Sequence, residues 1–275
     1  DWSSDVCSSD LKPYRSSFLY NGVFDYLFKV HKKVFYMKIA LITGGAKRIG
    51  AQITQTLHEN NYNVIIHYRR SESEALALAK KLNNIRVDSA STLQAELSDI
   101  NAVQVLCNSI NKLDVLVNNA SVFYPTPVSE ANQDSWNQII ATNLMAPFFL
   151  SQSLALTLSK ENGCIINIVD IHAERPLKNH SIYNISKAGL AMMTKTLAKE
   201  LAPNVRVCGV SPGSIFWPEN KAELNTEQKN KMLEKIALKK QGKASDIADT
   251  VLFLAKSNYI TGQIINVDGG RTLSQ

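Results

Sequence analysis

From Met37 onward, short and continuously apolar runs rich in β-branched residues alternate with longer stretches of 3.6-residue periodicity. The runs are Ile39–Thr43, Asn63–His67, Leu113–Asn118, Cys164–Val169, Val205–Val210 and Ile264–Val267. Between them, sets such as Ile49, Ile53 and Leu57, or Leu190, Met193, Leu197 and Leu201, fall on one face of a helix. A strand that is apolar on both faces has to be covered on both sides, and alternation with helices supplies that cover through right-handed crossovers. The pattern predicts an α/β protein: a single doubly wound Rossmann-type domain over 37–275, with a central parallel sheet flanked by helices. No internal repeat or low-complexity linker interrupts it.

Residues 1–36 do not share this pattern. Asp1 to Leu11 is rich in Ser and Asp, and Tyr14 to Tyr36 is aromatic and irregular. A secretory signal needs a basic start, a clean apolar stretch and a small-residue end, and that order is missing. The segment reads as an over-extended or artefactual start, or a disordered one, with Met37 as the natural initiator; a genuine N-terminal extension is the alternative.

Composition narrows the function classes. Thirty basic against 24 acidic residues give a net charge of +6, which suits nucleic acid, a membrane surface or a small polyanion. A helix-turn-helix pattern and a basic stripe with interleaved aromatics are both missing, which argues against nucleic acid. No run approaches the ~18 apolar residues of a membrane span. The cysteines Cys7, Cys107, Cys164 and Cys208 show no CxxC spacing and the five histidines no HxxxH. A disulfide framework and a metal site are therefore not expected, and a reducing, cytoplasmic compartment is.

The first apolar run opens into Thr43-Gly44-Gly45-Ala46-Lys47-Arg48-Ile49-Gly50 and then a helical pattern. Glycine there allows a tight turn and close backbone approach, and a helix N-terminus favours an anion. The second run ends in Tyr68-Arg69-Arg70-Ser71, with no acid before Glu72. An NAD site usually has a carboxylate there for the ribose 2′-hydroxyl, whereas guanidinium groups and a hydroxyl suit a 2′-phosphate. NADPH is the expected cofactor. Asn118-Asn119-Ala120-Ser121 closes the third run, where a dinucleotide crevice would lie; asparagines also simply tolerate turn geometry.

Tyr183-Asn184-Ile185-Ser186-Lys187 places a phenol and an ammonium one helical turn apart. The Lys⁺ is expected to lower the phenol's pKa from near 10 toward the working range of a catalytic acid. Asp170 stands 13 residues upstream, at the end of the Cys164–Val169 run.

The glycine turn and the YxxxK pattern resemble the short-chain dehydrogenase/reductase family. That family usually carries a serine where this chain has Asp170. A carboxylate would repel the charge developing on a ketone oxygen, whereas a partly buried Asp with a raised pKa could hydrogen-bond or protonate a ring nitrogen. Thr43-Gly44-x-x-x-Arg48-x-Gly50, His67-Tyr68-x-Arg70-Ser71, Asn118 to Pro127 and Asp170…Tyr183-x-x-x-Lys187 are similar to the pteridine reductases and related bacterial dihydromonapterin and dihydrofolate reductases.

The resemblance implies these roles. Asp170, Tyr183 and Lys187 are catalytic, and Asn143, in a helix over Trp136–Phe149, holds a proton-relay water. Gly44, Lys47, Arg48 and Ile49 bind the cofactor, Arg48 bridging its pyrophosphate and the pterin, and Arg69, Arg70 and Ser71 take the 2′-phosphate. Leu97 flanks the adenine, beside Glu96 where Asp is commoner. Asn119, Ala120, Ser121, Tyr183 and Lys187 bind the cofactor, Lys187 gripping the ribose, and Pro212, Gly213 and Ser214 close over the nicotinamide. Arg48, Ser121, Phe123, Asp170 and Tyr183 meet the substrate, with a pterin stacked on Phe123. A homodimer or homotetramer is implied as well. Thr226–Lys240 reads as an amphipathic helix with Met232, Ile236 and Leu238 near one side, following a Trp217-Pro218 turn, and either lids the substrate site or lies as a plain surface helix. A general carbonyl or 3-oxoacyl reductase is one alternative function, and a non-catalytic NADPH-binding regulator is another.

Overall fold

The computed structural model describes residues 37–216 and 225–273; the N-terminal segment 1–36 and the Trp217-Pro218 turn lie outside them. Seven parallel strands form one sheet in the order β3-β2-β1-β4-β5-β6-β7. They are β1 (Lys38–Ile42), β2 (Tyr62–Tyr68), β3 (Ala90–Gln94), β4 (Val115–Asn118), β5 (Cys164–Ile168), β6 (Arg206–Pro212) and β7 (Ile264–Val267). Six coincide with the apolar runs. The seventh, β3, has the sequence ASTLQ at the sheet edge, where partial exposure removes the need for an apolar run.

Helices cover both faces. α1 (Arg48–Glu59), α2 (Glu72–Ile85) and the later Ala244–Lys256 helix enclose one core, with Ile53, Leu57, Leu82, Val251 and Leu254 almost fully buried. α3 (Ile100–Asn108), a long central helix and Ser181–Glu200 enclose the other, around Leu116, Leu150, Leu154, Leu158 and Ile165. The order of connection reverses between β1 and β4, so the loops after these two strands diverge. A crevice opens there at the carboxyl ends of the strands, the place where such sheets bind ligands.

The helix expected over Trp136–Phe149 is longer and not uniform. α4 (Gln133–Ile140) runs through a five-residue π turn (Ala141–Met145) into α5 (Ala146–Lys160). The widened turn shows in the Ala146 N–H, which donates to the Ala141 carbonyl five residues back. The 28-residue helix Gln133–Lys160 is long and apolar enough to cross a membrane. Leu150, Leu154 and Leu158 instead seat it on the sheet, as a core helix.

α6 (Ser181–Glu200) carries the Tyr-Lys pair. α7 (Thr226–Glu234) is shorter than expected, ends six residues before Lys240, and buries no residue. Ile236 is buried just beyond it, Leu238 is exposed, and Lys239 sits at φ 53°. A residue in that left-handed conformation cannot extend a helix, so the amphipathic reading of Thr226–Lys240 is corrected to a short surface helix followed by an anchored turn. α8 (Ala244–Lys256) and β7 complete the domain.

Candidate active site

A cleft of about 580 Å³ occupies the crevice above β1 and β4. Its walls include Gly44, Lys47, Arg48, Ile49, Arg69, Arg70, Ser71, Leu97, Asn119, Ala120, Ser121, Phe123 and Tyr183. Most of the residues singled out in the sequence thus come from five separate segments to one surface.

The glycine turn is held from three sides. Thr43 is buried, and its hydroxyl accepts from the N–H groups of Asn119 (2.9 Å) and Ala120 (3.0 Å). The Asn119 amide donates to the carbonyls of Thr43 (2.9 Å) and Gly44 (3.2 Å). Gly44 lies at φ +60°, and a Cβ on Gly50 would sit 2.1 Å from the Gly44 carbonyl oxygen, so both positions require glycine. Between them Arg48 takes φ +52° although it is not glycine. That conformation costs about 1 kcal/mol and projects the guanidinium over the Phe216 ring, 4.6 Å from its centroid.

The third fastening is His67, whose importance the sequence did not signal beyond its place in a motif. The Gly44 N–H donates to its Nδ1 at 3.1 Å, so the ring proton is on Nε2, facing the Ala95 carbonyl at 3.2 Å. Burial pushes this imidazole down to about 4. A neutral ring therefore ties the turn after β1 to the segment after β3.

These features fit a dinucleotide. The N-terminus of α1 opens on the cleft with no acidic residue in its first turn and no side-chain cap, so its N–H groups suit phosphate. Arg69, Arg70 and Ser71 stand where the sequence placed them. Arg69, however, is already ion-paired with Glu96, and Lys47 with Glu74 across the rim.

At the other end, Tyr183 lies buried and its hydroxyl donates to Asp170 Oδ2 at 2.7 Å. The second carboxylate oxygen accepts from the His172 N–H at 2.9 Å. The expected lowering of the tyrosine's pKa is corrected. Burial and the Asp170 charge raise it well above 10, and a hydrogen bond from Ser121 pulls the other way without prevailing. Lys187 is fully enclosed and donates to the Ile168 carbonyl at 2.9 Å rather than to the phenol, 5.7 Å from the Tyr183 ring centroid. Burial lowers it to about 8, a shift that Asp170 opposes.

Asn143 sits in the π turn and is buried. Its amide oxygen accepts from Val122 N (2.7 Å) and Ser121 Oγ (3.3 Å), and its nitrogen donates to Val122 O (2.9 Å) and Ser186 Oγ (3.2 Å). Every position of the side-chain amide is therefore taken by protein. What the amide does is clamp the loop carrying Phe123 to α6. Phe123 is 56% exposed; His180 stacks on it at 4.7 Å and Tyr183 meets it edge-on at 4.8 Å. Pro212, Gly213 and Ser214, like Asp170, Asn143 and Lys187, lie behind the residues that line the cleft; Gly213 N–H donates to Val267 and Ser214 accepts from Gly242. Phe216, from the same segment as Ser214, is one of those that line it. Among the described residues no cluster of three His, Cys, Asp or Glu could hold a metal.

A family model described as enoyl-(acyl carrier protein) reductase matches residues 44–272, from the glycine turn past the last strand. The chain belongs to the short-chain dehydrogenase/reductase family. It is an oxidoreductase on a scaffold that takes a nicotinamide cofactor. Pteridine reductase 1 of Leishmania tarentolae is 34% identical, covering 86% of this chain and 97% of that protein. A 3-oxoacyl-[acyl-carrier-protein] reductase of Staphylococcus epidermidis is 36% identical over 85% and 98%. L-xylulose reductase of Bos taurus is 32% identical over 84% and 95%. The three names cover one pteridine and two carbonyl substrates, so the family alone leaves the substrate to the site.

Proposed function

We propose that this chain is an NADPH-dependent reductase that delivers hydride to a C=N bond of a pterin or dihydrofolate, giving the tetrahydro form. The observation that carries the reading is the Tyr183–Asp170 hydrogen bond. A ketone oxygen only accepts hydrogen bonds, and a carboxylate has none to give. A pterin ring presents N–H donors beside acceptor nitrogens, and a phenol next to a carboxylate answers both. With its pKa raised, Tyr183 keeps its proton through neutral pH and can release it to a ring nitrogen as that nitrogen gains charge. Asp170 orients the phenol and accepts from the heterocycle.

When bound, the reduced nicotinamide supplies the hydride. Lys47, Arg48 and Ile49 would cradle its pyrophosphate, and Arg70 with Ser71 the 2′-phosphate, which supports NADPH over NADH. A flat heterocycle would lie against the half-exposed Phe123 ring, with Arg48 and Ser121 at its edge. Buried free thiols at Cys107, Cys164 and Cys208 support a cytoplasmic setting.

Purified protein should oxidise NADPH in the presence of dihydrobiopterin, dihydromonapterin or dihydrofolate. Absence of turnover with all three overturns the substrate assignment. Faster turnover of a 3-oxoacyl thioester, improved further by Asp170→Ser, would place the chain with its carbonyl-reducing relatives instead.

A further inference from the structure

Arg69 and Arg70 follow the same strand, yet the protein treats them differently. The register of β2 and β3 (His67 with Leu93, Tyr68 with Gln94) brings the segments after both strands together at the cleft. There Glu96 Oε2 meets Arg69 Nε in an ion pair, with the two side chains 36% and 37% exposed. The carboxylate is not a loose partner. Its other oxygen accepts from the Ser98 N–H (3.2 Å) and hydroxyl (2.8 Å), which fixes its direction. Burial alone would raise its pKa, but the Ser98 hydrogen bonds and the Arg69 charge prevail and hold it below the usual carboxylate range.

Arg70 is exposed, and among the described residues no carboxylate lies within ion-pair distance of it. Next to it, Ser71 begins α2 without spending its hydroxyl on a cap. One end of the cleft therefore carries a neutralised guanidinium and, beside it, a free guanidinium with a free hydroxyl.

We infer that Glu96 sets the cofactor preference of this cleft by occupying Arg69, so that the 2′-phosphate is held by Arg70 and Ser71 alone. The inference rests on the NADPH reading above. A 2′-phosphate carries close to two negative charges at neutral pH, enough for both arginines. Glu96 withholds one of them and adds a repelling charge of its own. It acts through Arg69 as a restraint on selectivity: NADPH is bound less tightly than two arginines allow, while NADH, with no phosphate there, is indifferent to it.

The test is calorimetric titration of the full chain with 2′,5′-ADP and with 5′-AMP, which share every feature except the 2′-phosphate. Glu96→Gln should tighten 2′,5′-ADP about three- to five-fold, the reach of a partly exposed ion pair, and leave 5′-AMP unchanged. Its 2′,5′-ADP affinity should also fall more steeply with added salt. Arg70→Gln should weaken 2′,5′-ADP about ten-fold or more, and Arg69→Gln much less. This second comparison stands even if Glu96→Gln folds poorly. Unchanged or weaker 2′,5′-ADP binding in Glu96→Gln, an equal effect on both ligands, or equal losses at Arg69 and Arg70 would each overturn the inference. Wild-type protein that binds 2′,5′-ADP no better than 5′-AMP would instead remove the NADPH reading beneath it.

Discussion

The tyrosine at the centre of the cleft is defined by what faces its hydroxyl. Spacing put Lys187 one turn away, and a nearby ammonium ordinarily favours phenolate. The larger influences come from elsewhere in the fold: burial, and the Asp170 carboxylate that receives the phenol's proton at 2.7 Å. Both raise the pKa, so the phenol remains an acid over a wide range and loses that role only in alkali. Asp170→Asn removes the charge and keeps the shape. The alkaline limb of the pH–rate profile should then move to lower pH, with turnover at neutral pH reduced about 100-fold. An unmoved limb would mean that Asp170 does not govern the phenol. That the two residues belong to one catalytic set was legible in the motifs. The direction of the shift was not, because it depends on how deeply the pair lies beneath Phe123 and on where the Lys187 ammonium finds its acceptor.

At the scale of elements, the structure departs from the sequence pattern where polar residues or irregular turns do the positioning. β3 is polar in Ser91, Thr92 and Gln94 because an edge strand can be, and an apolar-run criterion passes over it. The π turn is hidden inside a continuous apolar period, and the Arg69–Glu96 pair joins segments that only strand register brings together. His67 belongs to the same group. It accepts from Gly44 and donates to Ala95 only while neutral, and its folded pKa of about 4 lies below the unfolded value of 6.5. Between those values the unfolded chain binds a proton that the folded one refuses. The stabilisation is therefore present above about pH 6.5 and is lost as pH falls toward 4. Its share of the loss between pH 7 and pH 5 is about 2 kcal/mol. Urea unfolding of wild type and His67→Asn at both pH values measures it. The variant should show a flatter pH dependence, and equal slopes would refute the assignment.

For the whole molecule, the sheet order concentrates the chemistry on the carboxyl edge and leaves the outer helix faces to other uses. Several of those faces are apolar. Phe148 and Leu156 lie two turns apart on α5, exposed by 37% and 79%, and Ile185 and Met192 on α6 are exposed by 49% and 61%. Exposed apolar residues in such number favour association with a second copy, the homo-oligomer that the resemblance implies. Light scattering after gel filtration should find a dimer or tetramer, and Phe148→Glu with Leu156→Glu should yield a smaller species that still binds the nicotinamide cofactor. A wild-type monomer would exclude this surface as an interface.

The π turn has one more consequence, which concerns phase. One residue beyond the α-helical count rotates everything after it by about 100°. α4 and α5 are continuous in space but angularly offset, so the side of the helix that faces the Phe123 loop before the turn differs from the side that faces the sheet after it. Asn143 can point at Val122 and Ser186 while Leu150, Leu154 and Leu158 point at β4 and β5. Removing a single residue between 141 and 145 would restore an ordinary helix with those three leucines still on the sheet, whereas closing the turn to α-helical pitch with every residue kept would swing them off it. The extra residue lets one rod serve two differently oriented surfaces.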